Sequence, residues 1–160
     1  MRQRVRQFVE AGQAPNADEI AFARNHLSGN LFGLFSTQTP RDQLHAIRTA
    51  RWLARRGHTD PDLLVAALLH DVAKGKQRRF DRVAWVVAGW AHAGNALADE
   101  RSHVELRRAL ARSKNHAWAS AEAMRAAGAS ERATELARLH HRAPGDDGVL
   151  ALLQQADAAN

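Results

Sequence analysis

The chain has no cysteine among its 160 residues, which excludes both disulfide bonds and thiolate metal sites. A reducing cytosol is therefore the compartment in which we expect it. The N-terminal stretch MRQRVRQFVE also lacks the apolar core of a signal peptide. Long hydrophobic runs are missing too, because the longest, residues 63–69 and 83–91, are too short to span a bilayer. These absences predict a cytoplasmic protein without membrane insertion.

Strand patterns are equally scarce, since no segment alternates apolar and polar residues. Alanine, leucine and arginine dominate, and all three are good helix formers. We predict an all-α, single-domain helical bundle with a loop over residues 29–40. The expected helices cover about residues 2–10, 16–27, 40–56, 60–75, 81–93, 102–112, 116–127, 130–141 and 149–158. Residues 1–40 are expected to form an N-terminal helical cap packed on the body, and residues 41–160 the main helical unit.

The charge is strongly positive: the net charge is +6, and 20 of the 23 basic residues are arginine. The guanidinium fork matches the geometry of phosphate, so a phosphorylated small molecule, such as a nucleotide, is the expected ligand. The arginines are spread along the chain and do not form one block. This distribution disfavours nucleic-acid binding as the main function.

The stretch LLVAALLHDVAKGK contains the most informative residues of the sequence. Seven apolar residues run directly into His70 and Asp71. A polar pair at the end of a buried helix is unfavourable unless the two groups are paired or hold a metal. On a continuous helix His70, Asp71 and Lys74 would share one side. The stretch therefore predicts a functional site at the inner end of a buried helix.

Further residues of the ligand type lie on other predicted helices. His45 lies in the middle of one helix, His116 at the start of another, and Asp157 in the last. His140 and His141 end the helix before it. Taken singly, each has an ordinary explanation, such as a hydrogen-bonded core histidine or a helix-end imidazolium. The four tryptophans are expected in the core.

The order of the whole set, H…HD…H…HH…D, resembles the HD-domain metal-dependent phosphohydrolases. The local sequence fits as well, with HAIR matching H-x-x-R, ALLHDVAK in place of the usual LLHDIGK, and an Ala-Asp pair near the end. The likeness covers about residues 41–157. HHRAPGDDG lacks the GYP signature of the enzymes that open cyclic di-GMP. The matching residues are His45, His70, Asp71, His116, His140, His141 and Asp157.

The resemblance implies a divalent metal site, with two ions chosen from Mn, Fe, Co, Ni or Mg. It assigns the first ion to His45, His70, Asp71 and Asp157. Asp71 would bridge to a second ion held by His116, His140 and His141. A metal-bridged hydroxide would attack a nucleotide or dinucleotide phosphoester, with Asp71 at the reaction centre and Lys74 and Arg48 contacting the phosphate.

Three alternatives stay open at this point. The first is a non-catalytic HD domain that binds metal or senses a nucleotide without turning it over. The second is a basic nucleic-acid-binding domain, which is weaker because the arginines are spread along the chain. Finally, RRFDRVAWVVAGW (residues 78–90) could lie on a membrane surface as an amphipathic helix, but its apolar residues leave no clean polar face.

Overall fold

The computed structural model describes residues 14–74 and 105–160. For residues 105–115 it describes only the helical backbone. Every regular element in these two stretches is helical, so the predicted all-α fold is confirmed. The helices expected over residues 2–10 and 81–93 lie outside them. The elements are α1 (Ala17–His26), α2 (Gly29–Ser36), α3 (Pro40–Ala54), α4 (Pro61–Leu69), a 3₁₀ helix (Val72–Lys74), α5 (Glu105–Ala126), α6 (Glu131–Leu139) and α7 (Gly148–Ala158).

Helix starts follow the capping signals of the sequence. Asn16 and Glu19 form a capping box before α1, each side chain accepting the backbone N–H of the other residue at 2.9 Å. Asp60 and Ser130 accept first-turn amides of α4 and α6 at 2.9 and 3.0 Å. Gly57 follows α3 with a φ of 83°, a conformation that side chains with a Cβ rarely adopt. These boundaries are confirmed because short-range hydrogen bonds determine them.

Two predicted boundaries are wrong. Residues 29–36 form helix α2 and not a loop, because Leu31 and Phe35, four residues apart, bury the same face in the core. The two helices expected over residues 102–112 and 116–127 are one helix, α5, of 22 residues. No proline or glycine interrupts it. His116 therefore lies in the middle of a long helix and not at the start of a short one.

Helix α4 lies at the centre of the bundle, in contact with helices α1, α2, α3, α6 and α7. It ends at Leu69, not near residue 75 as the sequence suggested. The backbone N–H of Ala73 donates to Ser120 Oγ on α5 at 3.0 Å, instead of to the carbonyl of Leu69 that a continuing helix would offer. The chain consequently turns at His70 and Asp71, which face the interior from a turn and not from a helix side.

The apolar residues of the described helices form one core, and none of these helices is long and apolar enough to cross a membrane. The N-terminal helices α1 and α2 pack on it through contacts with α3 and α4. The division of the chain at residue 40 into a cap and a main unit remains our proposal. Trp52 is partly buried against the core, but Trp118 is 62% exposed, so its predicted core position is wrong.

Asp147 holds the start of α7, the helix that carries Asp157. Its carboxylate accepts the N–H groups of Val149 and Leu150 at 3.1 Å and two hydrogen bonds from Arg132 at 2.8 Å. Asp147→Ala should lower the free energy of unfolding by about 1 kcal/mol, the typical value of an N-cap. Urea unfolding measures this loss.

The same contribution should depend on pH. The hydrogen bonds from Arg132 and the α7 amides lower the pKa of Asp147 to about 2. The stabilisation is therefore complete above the unfolded-state pKa near 3.8 and is lost as the pH falls through about 2. The neighbouring exposed Asp146 provides the matched control. Asp146→Ala should leave the free energy of unfolding unchanged across the same pH range. Equal losses in the two variants would contradict the capping role.

Candidate metal centre

Two histidines of the centre are placed by the same local motif. His70 follows Ala67-Leu68-Leu69 at the end of α4, and His140 follows Ala137-Arg138-Leu139 at the end of α6. In each case the ring Nδ1 lies near the carbonyl oxygen of the alanine three residues earlier, at 3.0 and 2.6 Å. A carbonyl only accepts, so Nδ1 carries a proton in both rings, and Nε2 is the nitrogen that is left to bind a metal. Metal-binding histidines typically make this second hydrogen bond.

The residues following these two histidines also point into the centre. Asp71 comes after His70 and His141 after His140, each in the turn behind its helix. His45 and Asp157 come from the facing helices α3 and α7, and His116 from α5. All seven residues of the predicted ligand set are thus brought together.

The seven residues fall into two groups, in each of which one ligand atom per residue lies within 4.8 Å of all the others. In the first, the His45 group, His45 Nε2 lies 2.9 Å and His70 Nε2 3.4 Å from Asp157 Oδ1. The second, the His116 group, contains Asp71, His116, His140 and His141. Each group offers enough nitrogen and oxygen atoms for one first-row divalent ion.

Asp71 lies between the two groups and presents one oxygen to each. Its Oδ1 lies 3.2 Å from His116 Nε2 and 3.7 Å from His140 Nε2. The other oxygen, Oδ2, lies 3.6 Å from His70 Nε2 and accepts a hydrogen bond from Lys74 Nζ at 2.6 Å. This arrangement of the two oxygens is the one that a bridging carboxylate needs.

Several buried ligand atoms lack a hydrogen-bond partner within the described part of the chain. They are Nε2 of His70, Nε2 of His140 and Oδ1 of Asp71. In addition, Nε2 of His116 and Nε2 of His141 face each other at 3.0 Å. Unsatisfied buried polar atoms are costly and rare in folded proteins. Because the three atoms without a partner, on His70, His140 and Asp71, point to the same centre, a cation there is the simplest way to satisfy them.

The electrostatics of the centre keep its carboxylates ionised. Burial alone would raise the pKa of Asp71, but the charge of His70, the nearby imidazole of His116 and the ammonium of Lys74 hold it well below its usual range. Burial likewise opposes ionisation of Asp157, yet the hydrogen bond from His45 and the nearby charge of His70 hold its pKa well below the usual range. Both residues are therefore anionic ligands at any pH near neutrality.

Burial and neighbouring charges shift the pKa values of the histidines in opposite directions. Burial lowers the pKa of His140 to about 3, assisted by the charge of His70, and burial with the charge of His116 lowers that of His141. For His70, burial works against the charged form, but the anionic Asp71 and Asp157 outweigh it, so the net pKa is raised. A proton on His70 would therefore compete with a metal for that ring.

We therefore expect metal content to fall as the pH drops from 8 towards 5. The carboxylates keep their charge over this range, so protonation of histidine, with His70 prominent, drives the release. Metal analysis after gel filtration at each pH measures the effect. A metal content that stays flat from pH 8 to pH 5 would contradict this expectation.

A cavity of about 310 Å³ opens beside the His45 group. Its charged lining includes Arg48 and Lys74, the two residues predicted to contact phosphate, together with Arg41. The centre therefore meets a space that a small molecule can enter, and both basic and acidic side chains line that space.

Two further residues support the centre and have no signal in the sequence. The Gln38 side chain, 8% exposed, donates from Nε2 to the carbonyl of Leu68 at 3.1 Å, just before His70. Fully buried Ser120 accepts the Ala73 amide and so holds the turn after Asp71. Among the remaining histidines, His26 bonds the Phe22 carbonyl of its own helix. His58 belongs to neither group, and residues 92 and 103 lie outside the described stretches.

The fold is all-α, and the centre is a cluster of histidines and carboxylates that could hold a metal. The HD domain family model matches residues 43–158, and the chain belongs to this family. HD domains form a superfamily of metal-dependent phosphohydrolases. Neither the curated proteins nor the solved structures contain a match to the chain.

Proposed function

We propose that the protein is a metal-dependent phosphohydrolase with two metal ions, one in each ligand group. The observation that supports this best is the position of Asp71, which presents one oxygen to each group. A single-metal site would require only the His45 group and Asp71. The first ion would be held by His45, His70, Asp71 and Asp157, and the second by Asp71, His116, His140 and His141.

The chain's own residues would prepare the substrate for the reaction. The two ions would supply a hydroxide nucleophile and neutralise charge on the phosphate oxygens. Asp71 and Asp157 balance the charge of the ions, and the backbone carbonyls of Ala67 and Ala137 fix the rings of His70 and His140. The phosphate would lie in the cavity, within reach of Arg48 and Lys74.

The second candidate is an HD domain that binds metal or a nucleotide without turnover. Basic residues in the cavity favour the enzyme, because a purely structural metal needs no contacts to phosphate. The deciding experiment loads the protein with Mn²⁺ or Fe²⁺ and measures the release of phosphate, nucleoside or nucleotide from mononucleotides, dinucleotides and phosphosugars. Turnover that disappears with chelator supports the enzyme. If metal-loaded protein hydrolyses none of them, the non-catalytic alternative replaces our proposal.

Lys74→Ala should reduce turnover and leave the metal in place. The ammonium cannot ligate a metal, and its bond to Asp71 Oδ2 places it beside the reacting centre. Loss of a cation that stabilises developing phosphate charge should lower kcat by about ten- to a thousandfold. Metal analysis and steady-state kinetics on the same preparation separate the two effects. Unchanged kinetics would make Lys74 a counter-ion of Asp71 and nothing more.

A further inference from the structure

The end of α4, which His70 follows, is tied to helix α3 by a buried glutamine. Gln38 donates from Nε2 to the carbonyl of Leu68 at 3.1 Å, two residues before His70. The backbone carbonyl of Gln38 in turn accepts a hydrogen bond at 3.3 Å from Nε2 of Gln43, which lies on α3. These two hydrogen bonds, which we call the Gln38 tether, connect the end of α4 to the helix that carries His45.

A buried serine ties the other end of the same turn to helix α5. Ser120 Oγ accepts the backbone N–H of Ala73 at 3.0 Å, two residues after Asp71. Ser120 is fully buried and lies four residues after His116, so the two side chains share one face of α5. The hydrogen bond to Ala73, which we call the Ser120 tether, connects the turn to the helix that carries His116.

Each tether begins on a helix that supplies a ligand to one group alone. Helix α3 supplies His45, which belongs to the group with His70 and Asp157. Helix α5 supplies His116, whose Nε2 lies 3.2 Å from Asp71 Oδ1 in the other group. The Gln38 tether therefore fixes His45 relative to His70. The Ser120 tether fixes His116 relative to Asp71.

Stability alone does not explain the glutamine. Its Oε1 is buried and has no hydrogen-bond partner within the described part of the chain. Unsatisfied buried acceptors are costly and rare in folded proteins. An apolar side chain of similar length would fill the same buried space without an unpaired oxygen of its own. What the glutamine adds is the hydrogen bond that holds the end of α4.

We infer that Gln38 and Ser120 are positioning residues, each for a different ion. Gln38 sets the geometry of the His45 group. Ser120 sets the geometry of the His116 group. This assignment rests on the proposed function, which places one ion in each group. Residues that hold metal ligands in place without touching the ion raise its affinity, because the ligands are already spaced for it when it arrives.

Binding of Zn²⁺ to the full chain tests the assignment group by group. The ion is diamagnetic, so the ring signals of His45 and His116 remain observable by NMR and report the two groups separately. Loss of each signal in His45→Ala and His116→Ala identifies it. Zn²⁺ is added in competition with a chelator of known affinity, and the midpoint of each ring gives the affinity of its group.

Gln38→Met should weaken binding at the His45 ring about tenfold, the lower limit for residues that support a metal ligand, and change the His116 ring by less than about twofold. Ser120→Ala should produce the reverse pattern. Equal weakening at both rings in either variant would overturn the assignment. Midpoints that match the wild-type chain at both rings would overturn it as well.

The matched control is Thr134→Val, which removes another fully buried hydroxyl. Thr134 Oγ1 donates to the Glu131 carbonyl of its own helix and does not reach the turn, so both rings should keep their midpoints. Urea unfolding of the metal-free variants separates positioning from stability. Gln38→Met exchanges one unpaired acceptor for another, the Leu68 carbonyl, and should unfold near the wild-type midpoint. A variant that loses its ions because it is unfolded would mark the residue as structural and overturn its positioning role.

The outcome is separable from that of the proposed function, because the ions are bound here without substrate. A protein that hydrolyses nothing would refute the enzyme and leave the two tethers to be judged by the Zn²⁺ midpoints. A wild-type chain with one ion would refute the binuclear site. The same variants would still decide the roles of Gln38 and Ser120, since only the tether of the occupied group should then weaken binding.

Discussion

Asp71→Ala is expected to empty both ligand groups and abolish hydrolysis. Its two oxygens face different groups, so no neighbouring side chain can replace both contacts. Mutation of a residue that only hydrogen-bonds to a metal ligand already lowers metal affinity or activity by about 10–100-fold. Removal of a shared ligand should exceed that, and turnover should fall below detection. Metal analysis and phosphate release measured on the same sample provide the test.

Stability must be separated from metal loss in this experiment. Asp71 is buried and contacts His70 and Lys74, so its removal also leaves buried charge without a partner. Asp71→Asn keeps the volume of the side chain and should lose metal and activity just as Asp71→Ala does, with a smaller change in urea unfolding. The exposed Asp146→Ala should keep both ions. A full metal complement in Asp71→Asn would contradict the assignment of Asp71 as a bridging ligand.

Wild-type protein should bind two divalent ions per chain, and His116→Ala should bind one. His116 lies in the group around Asp71 Oδ1 and does not belong to the His45 group, so its loss should spare the other ion. His45→Ala should show the reciprocal result, with the ion in the His116 group retained. Metal analysis at saturating Mn²⁺ or Fe²⁺ counts the ions.

The control is His58→Ala, a histidine outside both groups, which should keep two ions. One ion in the wild-type chain at saturation would refute the binuclear site. Loss of both ions from His116→Ala would show instead that the two groups bind cooperatively as one unit.

Local signals in the sequence predicted the helix starts well, because a cap is a contact between residues two or three apart. Asn16, Asp60 and Ser130, the first residues of three expected helices, all act as N-caps. The missed helix α2 follows Ser28, whose side chain makes no cap hydrogen bond, and contains two glycines. Burial of Leu31 and Phe35 stabilises it instead, and burial depends on the tertiary structure.

For the candidate site, the order of histidines and aspartates predicted which residues meet but not how they are held. The end of α4 depends on Ser120, which is 47 residues away from the amide it accepts. Gln38 reaches Leu68 from 30 residues away. No pattern along the chain indicates such pairs. The repeated A-x-L-H motif at the ends of α4 and α6 is visible in the sequence. It explains why both histidine rings direct Nε2 into the centre.

The two A-x-L-H helix ends also affect the thermodynamics of metal uptake. Because a backbone carbonyl one turn earlier already holds each ring, His70 and His140 have little rotational freedom left to lose when an ion arrives. Immobilising a side chain on binding typically costs about 0.5–1.5 kcal/mol. If these two residues bind an ion, the entropy loss belongs to folding, so the free protein would be preorganised and its affinity for the ion correspondingly higher.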